Sequence, residues 1–126
     1  MSKRIRSEYF AEAEFRRCSP ACSLQDMEQN FMDVLDEVRR RAGIPLVISC
    51  AFRSREWDLA RGRSGNSAHT KGLGIDIVAN SSATRMKIVS AALDVGIRRI
   101  GIGKGFVHLD IDESLPCDVM WHYYED

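Results

Sequence analysis

Four side chains in the 126-residue chain stand where metal chemistry is possible: His69, Asp76, His108 and Asp110. His69 and Asp76 lie in "SAHTKGLGID", seven residues apart, with Gly72 and Gly74 between them. His108 and Asp110 lie in "FVHLDI", two apart. On a strand, residues i and i+2 share a face, so these two should project side by side, with Val107 and Leu109 turned to the core. Two imidazoles and one carboxylate form a common protein set for catalytic zinc, with the fourth position left for water. Zinc lowers the pKa of that water to about 7 and polarises a carbonyl. His69, Asp76 and His108 would be the ligands, and Asp110 the local base. The same residues also fit a plain structural role, with His69 and Asp76 bonding within the loop and His108 satisfied on its strand.

The elements that must place these residues follow from periodicity. Residues 8–16 read as a short helix. A longer one starts at Ser23, where "SLQD" offers a capping serine and an acid three positions on. Met27, Phe31, Val34, Leu35 and Val38 then recur at helical spacing, Arg39, Arg40 and Arg41 suit the last turn, and Gly43 can end it. "PLVISCAF" (45–52) reads as a buried strand, and "SREWDLARG" as one or two helical turns. Residues 62–72 form a long loop of the kind that carries function. "GIDIVA" (74–79) is a second strand. Residues 80–96 form a helix with an apolar stripe of Met86, Val89 and Leu93. Residues 98–103 and 106–111 are two strands around a turn at Lys104-Gly105. The order predicts an α+β domain: a small, mainly antiparallel sheet flanked by helices, in one unit over residues 1–126.

Composition narrows the function. Lys plus Arg number 18 and so do Asp plus Glu, so no net charge steers the chain to nucleic acid or a membrane surface. No segment approaches the roughly 20 apolar residues of a spanning helix, and the basic start "MSKRIRSEYFAEAEF" lacks the apolar stretch of a secretory signal. Synthesis in the cytoplasm is expected. Cys18, Cys22, Cys50 and Cys117 allow two disulfides or a four-cysteine zinc site. Small buried side chains are favoured, because the C-x-x-C pairs of such zinc sites are missing and cytosolic thiols stay reduced.

The motifs resemble a known family. "SAHTKGLGID" is similar to the S-x-H-x-x-G-x-A-x-D signature of the D-alanyl-D-alanine carboxypeptidase-type zinc peptidases, whose superfamily includes the Hedgehog signalling domain. Gly74 departs from the usual alanine. "GIGKGFVHLDID" resembles the second block, G-I-G-x-x-x-F-V-H-x-D, of the short peptidoglycan-peptidase branch found in bacteria, prophages and phages. "SCAFRSRE" resembles the S-G-Y-R-S block. The three occur in order over residues 46–112, and the "CSPAC" head and "W-H-Y" tail fit the short branch.

The resemblance implies a Hedgehog/DD-peptidase-like fold and one zinc ion on His69, Asp76 and His108. It implies a peptidase acting on peptidoglycan stem peptides, as a D,D-carboxypeptidase or an endopeptidase, and a monomer is expected. Arg53 would hold a substrate carboxylate, unless it pairs with Glu56 or another acid. Ser67 would bond substrate or orient the loop. Family branches that use a glutamate base have it three residues before the last histidine, where this chain has Gly105. Asp110 is the substitute and His122 the second candidate. Trp121 reads as a packing residue. A phage-type lysin or prophage product, acting on the wall after release, fits the missing signal. Two rivals are a zinc-bearing wall-binding or virion module without turnover, and a metal-free structural protein.

Overall fold

The computed structural model describes residues 4–124. Four helices run over Glu12–Arg16 (α1), Gln29–Ala42 (α2), Arg55–Ala60 (α3) and Ser82–Asp94 (α4). Five strands run over Ile48–Cys50 (β1), Gly74–Val78 (β2), Arg99–Ile102 (β3), Phe106–Asp110 (β4) and Val119–His122 (β5). They form one sheet in the order β1-β2-β4-β3-β5. All neighbours are antiparallel except β3 and β5. The α+β architecture with a mainly antiparallel sheet is as expected.

Local chemistry explains most boundaries. Ser23 and Asp26 form the reciprocal capping box, Ser23 Oγ accepting from the Gln25 amide and Asp26 Oδ2 from the Ser23 amide. The box opens only a 3-10 turn over Leu24–Asp26, and α2 starts at Gln29, because Met27 is extended. Gly43 ends α2 in the left-handed region. Ser54 caps α3, accepting from the Trp57 amide.

Alternation sorts the sheet into two faces. Ile75, Ile77, Ile100, Val107 and Leu109 are buried among the core residues, which include Phe31, Met32, Leu35 and Val38 of α2 and Ile88, Ala91 and Ala92 of α4. Each fully buried aliphatic side chain contributes about 1.5–3 kcal/mol. The apolar stripe expected on α4 is displaced by one position: Met86 and Leu93 are exposed, and Ile88, Ala91 and Ala92 make the buried face. The tail, read only as aromatic, supplies β5. No helix among the described residues is long and apolar enough to cross a membrane.

Candidate metal centre

The site is built along one row of the sheet. Cys50 pairs with Asp76, Asp76 with His108, His108 with Gly101, and Gly101 with Trp121. Five strands thus each place one residue on a line across the face opposite the core. His69 reaches this row from a 3-10 turn over Ala68–Lys71, tied back by the Arg53 amide donating to the His69 carbonyl. Gly72 closes the turn with φ +70°, and a Cβ there would meet the Asp26 carbonyl oxygen at 2.5 Å. Gly74, where the family has alanine, lets Ala68 and His108 approach: a Cβ would lie 2.9 Å from Ala68 Cβ and 3.3 Å from His108 Cε1.

Three atoms converge. His69 Nε2 lies 3.1 Å from His108 Nδ1, His108 Nδ1 lies 2.9 Å from Asp76 Oδ1, and His69 Nε2 lies 3.3 Å from Asp76 Oδ1. The outer ring nitrogens fix the tautomers. His69 Nδ1 faces the Ala51 carbonyl at 2.6 Å, which can only accept, and His108 Nε2 faces Asp110 Oδ2 at 2.6 Å. Both outer atoms therefore carry hydrogen, and in the neutral rings both inner atoms are lone pairs aimed at a carboxylate oxygen. Such a triangle has no donor of its own and calls for a cation. A tetrahedral ion with bonds of about 2.0 Å to nitrogen needs ligands about 3.3 Å apart, close to the spacing found. The donor set therefore fits zinc, which His69 Nε2, Asp76 Oδ1 and His108 Nδ1 would hold.

Without an ion, a proton is drawn to the same place. Burial works against charging either histidine, but the Asp76 carboxylate outweighs it at His69, and Asp110 with Asp76 outweighs it at His108, so both pKa values rise. Burial likewise opposes ionisation of Asp76 and Asp110. The histidines overcome it at Asp76, and His108 with Arg99 at Asp110, so both carboxylates stay below their ordinary range.

The expected base has a different position. Asp110 is fully buried, and it accepts from His108 Nε2, from Arg99 Nε at 2.7 Å and from the Asp112 amide at 3.1 Å. It stands at the outer nitrogen of His108, away from the converging atoms, with three donors on it. This geometry orients the ring and fixes its proton; it does not offer a free base. His122 is corrected too: on β5 it alternates with Trp121 and Tyr123, so it stacks on Tyr124 and accepts the Tyr124 amide outside the cleft lining.

The cleft over this row has a volume of about 480 Å³, and its walls include Arg53, Asp58, Arg63, Ser67, Trp121 and Tyr123. Arg53 pairs with fully buried Asp58, not with Glu56. Its Nε is 2.9 Å from Asp58 Oδ1 but poorly aligned for a hydrogen bond, and its Nη2 donates to Ser67 Oγ at 3.2 Å. Ser67 Oγ donates to Asp58 Oδ2. Trp121 packs on His108 and beneath Arg99 and also lines the cleft, so packing and wall are one role. Burial pushes the Tyr123 phenol up, so it is a neutral donor at pH 7.

The cysteines are all free thiols; Cys18 and Cys50 are buried and Cys117 is exposed. They do not gather into a four-cysteine site. Cys50 instead joins His69 and Asp76, each offering a ligand atom within 4.8 Å of the others. Its Sγ lies 3.9 Å from His69 Nδ1, behind the ring, where Ala51 already accepts. Asp58, Arg63, Arg99 and Cys50 are site neighbours that the motifs did not mark. The signal for Arg99 was its strand register: it pairs with Asp110 across β3 and β4.

No curated protein matches the chain. A family model described as Peptidase M15 matches residues 8–110, from just before α1 to the end of β4. The match covers every converging ligand together with Arg53, Asp58, Ser67 and Asp110, and on that extent the chain belongs to the peptidase M15 family.

Proposed function

We propose that the protein is a zinc-dependent peptidase that hydrolyses peptide bonds in peptidoglycan stem peptides, as a D,D-carboxypeptidase or an endopeptidase. The observation that carries this reading is the convergence of two imidazole lone pairs and one carboxylate at the floor of an open cleft. Zinc at that place would supply a Lewis acid and acidify water. The chain's own residues do the rest. The Ala51 carbonyl and Asp110 hold the ring protons at His69 Nδ1 and His108 Nε2, so both inner nitrogens stay available. Trp121, Tyr123 and Phe106 form an aromatic wall of the cleft. Arg53, Asp58 and Ser67 form a buried polar corner that shapes the end of the cleft.

The test is digestion of purified muropeptides by protein with and without a chelator, with products identified by mass spectrometry. Metal-dependent cleavage within the stem peptide is expected. Stoichiometric zinc with no bond cut would sink the enzyme reading.

One observation favours a second reading, a zinc-bearing wall-binding or virion module without turnover. No carboxylate of the cleft wall stands free among the described residues: Asp58 serves Arg53 and Ser67, Asp76 lies between the histidines, and Asp110 serves His108 and Arg99. Gly105 occupies the position of the glutamate used by other family branches. In that case the same assay shows muropeptide binding without products.

A further inference from the structure

Three arginines line the cleft, and they differ in what their charge already does. Arg99 donates to Asp110 and to the Pro116 carbonyl, lies over Trp121 with 4.9 Å to the ring centroid, and has a side chain only 11% exposed. Arg53 has one protein atom at each guanidinium nitrogen: Asp58 Oδ1 at Nε, Ser67 Oγ at Nη2, and Cys50 Sγ 3.8 Å from Nη1. Its side chain is 12% exposed, and its charge is neutralised by a fully buried carboxylate.

Arg63 is different. Its side chain is 47% exposed, and the nearest acid, Asp58, is 3.9 Å away and already committed to Arg53 and Ser67. Its backbone is fixed all the same. The Arg63 amide donates to the Asp58 carbonyl, and the preceding Gly62 amide to Leu59, so the turn after α3 sets the side chain's origin. Its guanidinium stands 5.4 Å from the Trp57 ring centroid, at the margin of a ring that Arg61 covers at 3.5 Å. Among the described residues of the cleft wall, Arg63 is the cation with donors to spare.

The charges of the wall support an anionic ligand. Arg53, Arg63 and Arg99 balance Asp58, Asp76 and Asp110. Once Asp76 is committed to a divalent ion, the balance turns positive, and the surplus is reachable at Arg63.

We propose that Arg63 receives a carboxylate of the peptide ligand and sets the preference for acidic over amidated substrates, while Arg53 is a positioning residue that holds Asp58 and Ser67. This rests on the reading of the cleft as a peptide site. The carboxylate could be a chain terminus or an acidic side chain, and two probe pairs separate them: N-acetyl-D-alanyl-D-alanine against its C-terminal amide, and N-acetyl-L-alanyl-D-glutamate against its side-chain amide. Each is titrated calorimetrically into zinc-loaded wild type, Arg63→Gln, Arg63→Lys and Arg53→Lys, and KM and kcat are recorded for any peptide that is cut.

Wild type should bind the free acid of one pair roughly 10-fold or more tighter than its amide, the scale of one hydrogen-bonded charge pair. Arg63→Gln should erase that preference by weakening the acid alone, raising KM with kcat nearly unchanged, and Arg63→Lys should restore part of it. The inference is overturned if wild type binds no acid better than its amide, or if Arg63→Gln leaves the acid-to-amide ratio intact or weakens both forms equally. A collapsed ratio without any hydrolysis would uphold the role of Arg63 and defeat the peptidase reading. Hydrolysis with an unchanged ratio would do the reverse.

Discussion

Replacing Asp110 with asparagine tests how the centre is organised. Asp110 has no exposed surface; its Oδ2 accepts from His108 Nε2, and its Oδ1 accepts from Arg99 Nε and the Asp112 amide. Asparagine keeps the shape but has one acceptor oxygen. If that oxygen stays with Arg99, the amide NH2 faces His108 Nε2, and the ring proton must move to Nδ1. That is the atom facing His69 and Asp76, so a ligand lone pair is lost. If the amide turns the other way, Arg99 faces a donor. Loss of an outer-shell partner weakens metal binding roughly 10- to 100-fold, about 1.4–2.8 kcal/mol. Removing one partner of a buried ion pair costs about 3–5 kcal/mol of stability, and the Arg99 and Asp110 side chains are only 11% and 0% exposed. The assays are zinc affinity by chelator competition and urea unfolding of the zinc-free variant. Wild-type zinc affinity and stability together with abolished hydrolysis would refute the reasoning, and would return Asp110 to the role of base.

Further outcomes follow from the same geometry. In zinc-free protein, the raised pKa values of His69 and His108 give stability that is complete below about pH 6.5 and lost as pH rises through their folded values. The lowered values of Asp76 and Asp110 give stability present above about pH 3.9 and lost as pH falls through theirs. Calorimetry should therefore show the zinc-free protein most stable on the mildly acidic side, with zinc removing the alkaline decline; a zinc-free Tm that climbs from about pH 6 to 8.5 would contradict this. Gly74→Ala should destabilise by about 1–3 kcal/mol in urea unfolding and weaken zinc binding, since its Cβ presses on Ala68 and His108. A neutral effect would mean that the turn carrying His69 relaxes freely. Leu109→Ala should cost about 2–5 kcal/mol, because Leu109 is fully buried directly behind the row of site residues; a cost under about 1 kcal/mol would show that the sheet's inner face is not tightly packed.

Period-2 alternation made β2 and β4 legible, and with them the shared face of His108 and Asp110 and the inward turn of Val107 and Leu109. Residue type already suggests His69, Asp76 and His108 as one ligand set, and the resemblance strengthens it; spacing along the chain alone does not specify which strands pair. What chain order hides is the register across strands. Cys50 and Arg99 enter the site through pairing with Asp76 and Asp110, partners 26 and 11 positions away. β5 was missed because its exposed residues, such as Val119 and Met120, show no clean alternation; it is held as a strand by parallel pairing to β3. Asp110 was misread for a related reason. Sharing a face with His108 did place it next to the ring, but which ring nitrogen it meets depends on the rotamer of His108 and on Arg99 beyond it. The displaced stripe on α4 has a simpler cause: alanines at 91 and 92 pack as core while carrying little hydrophobic signal.

The central claim is that three side-chain atoms, His69 Nε2, Asp76 Oδ1 and His108 Nδ1, hold one zinc ion. Anomalous diffraction at the zinc edge, on crystals of protein grown with zinc, tests it most directly. The account predicts a single strong peak bounded by those three atoms, with Asp110 still on His108 Nε2. A peak at Cys50 or elsewhere without His108, or no peak under saturating zinc, would contradict it.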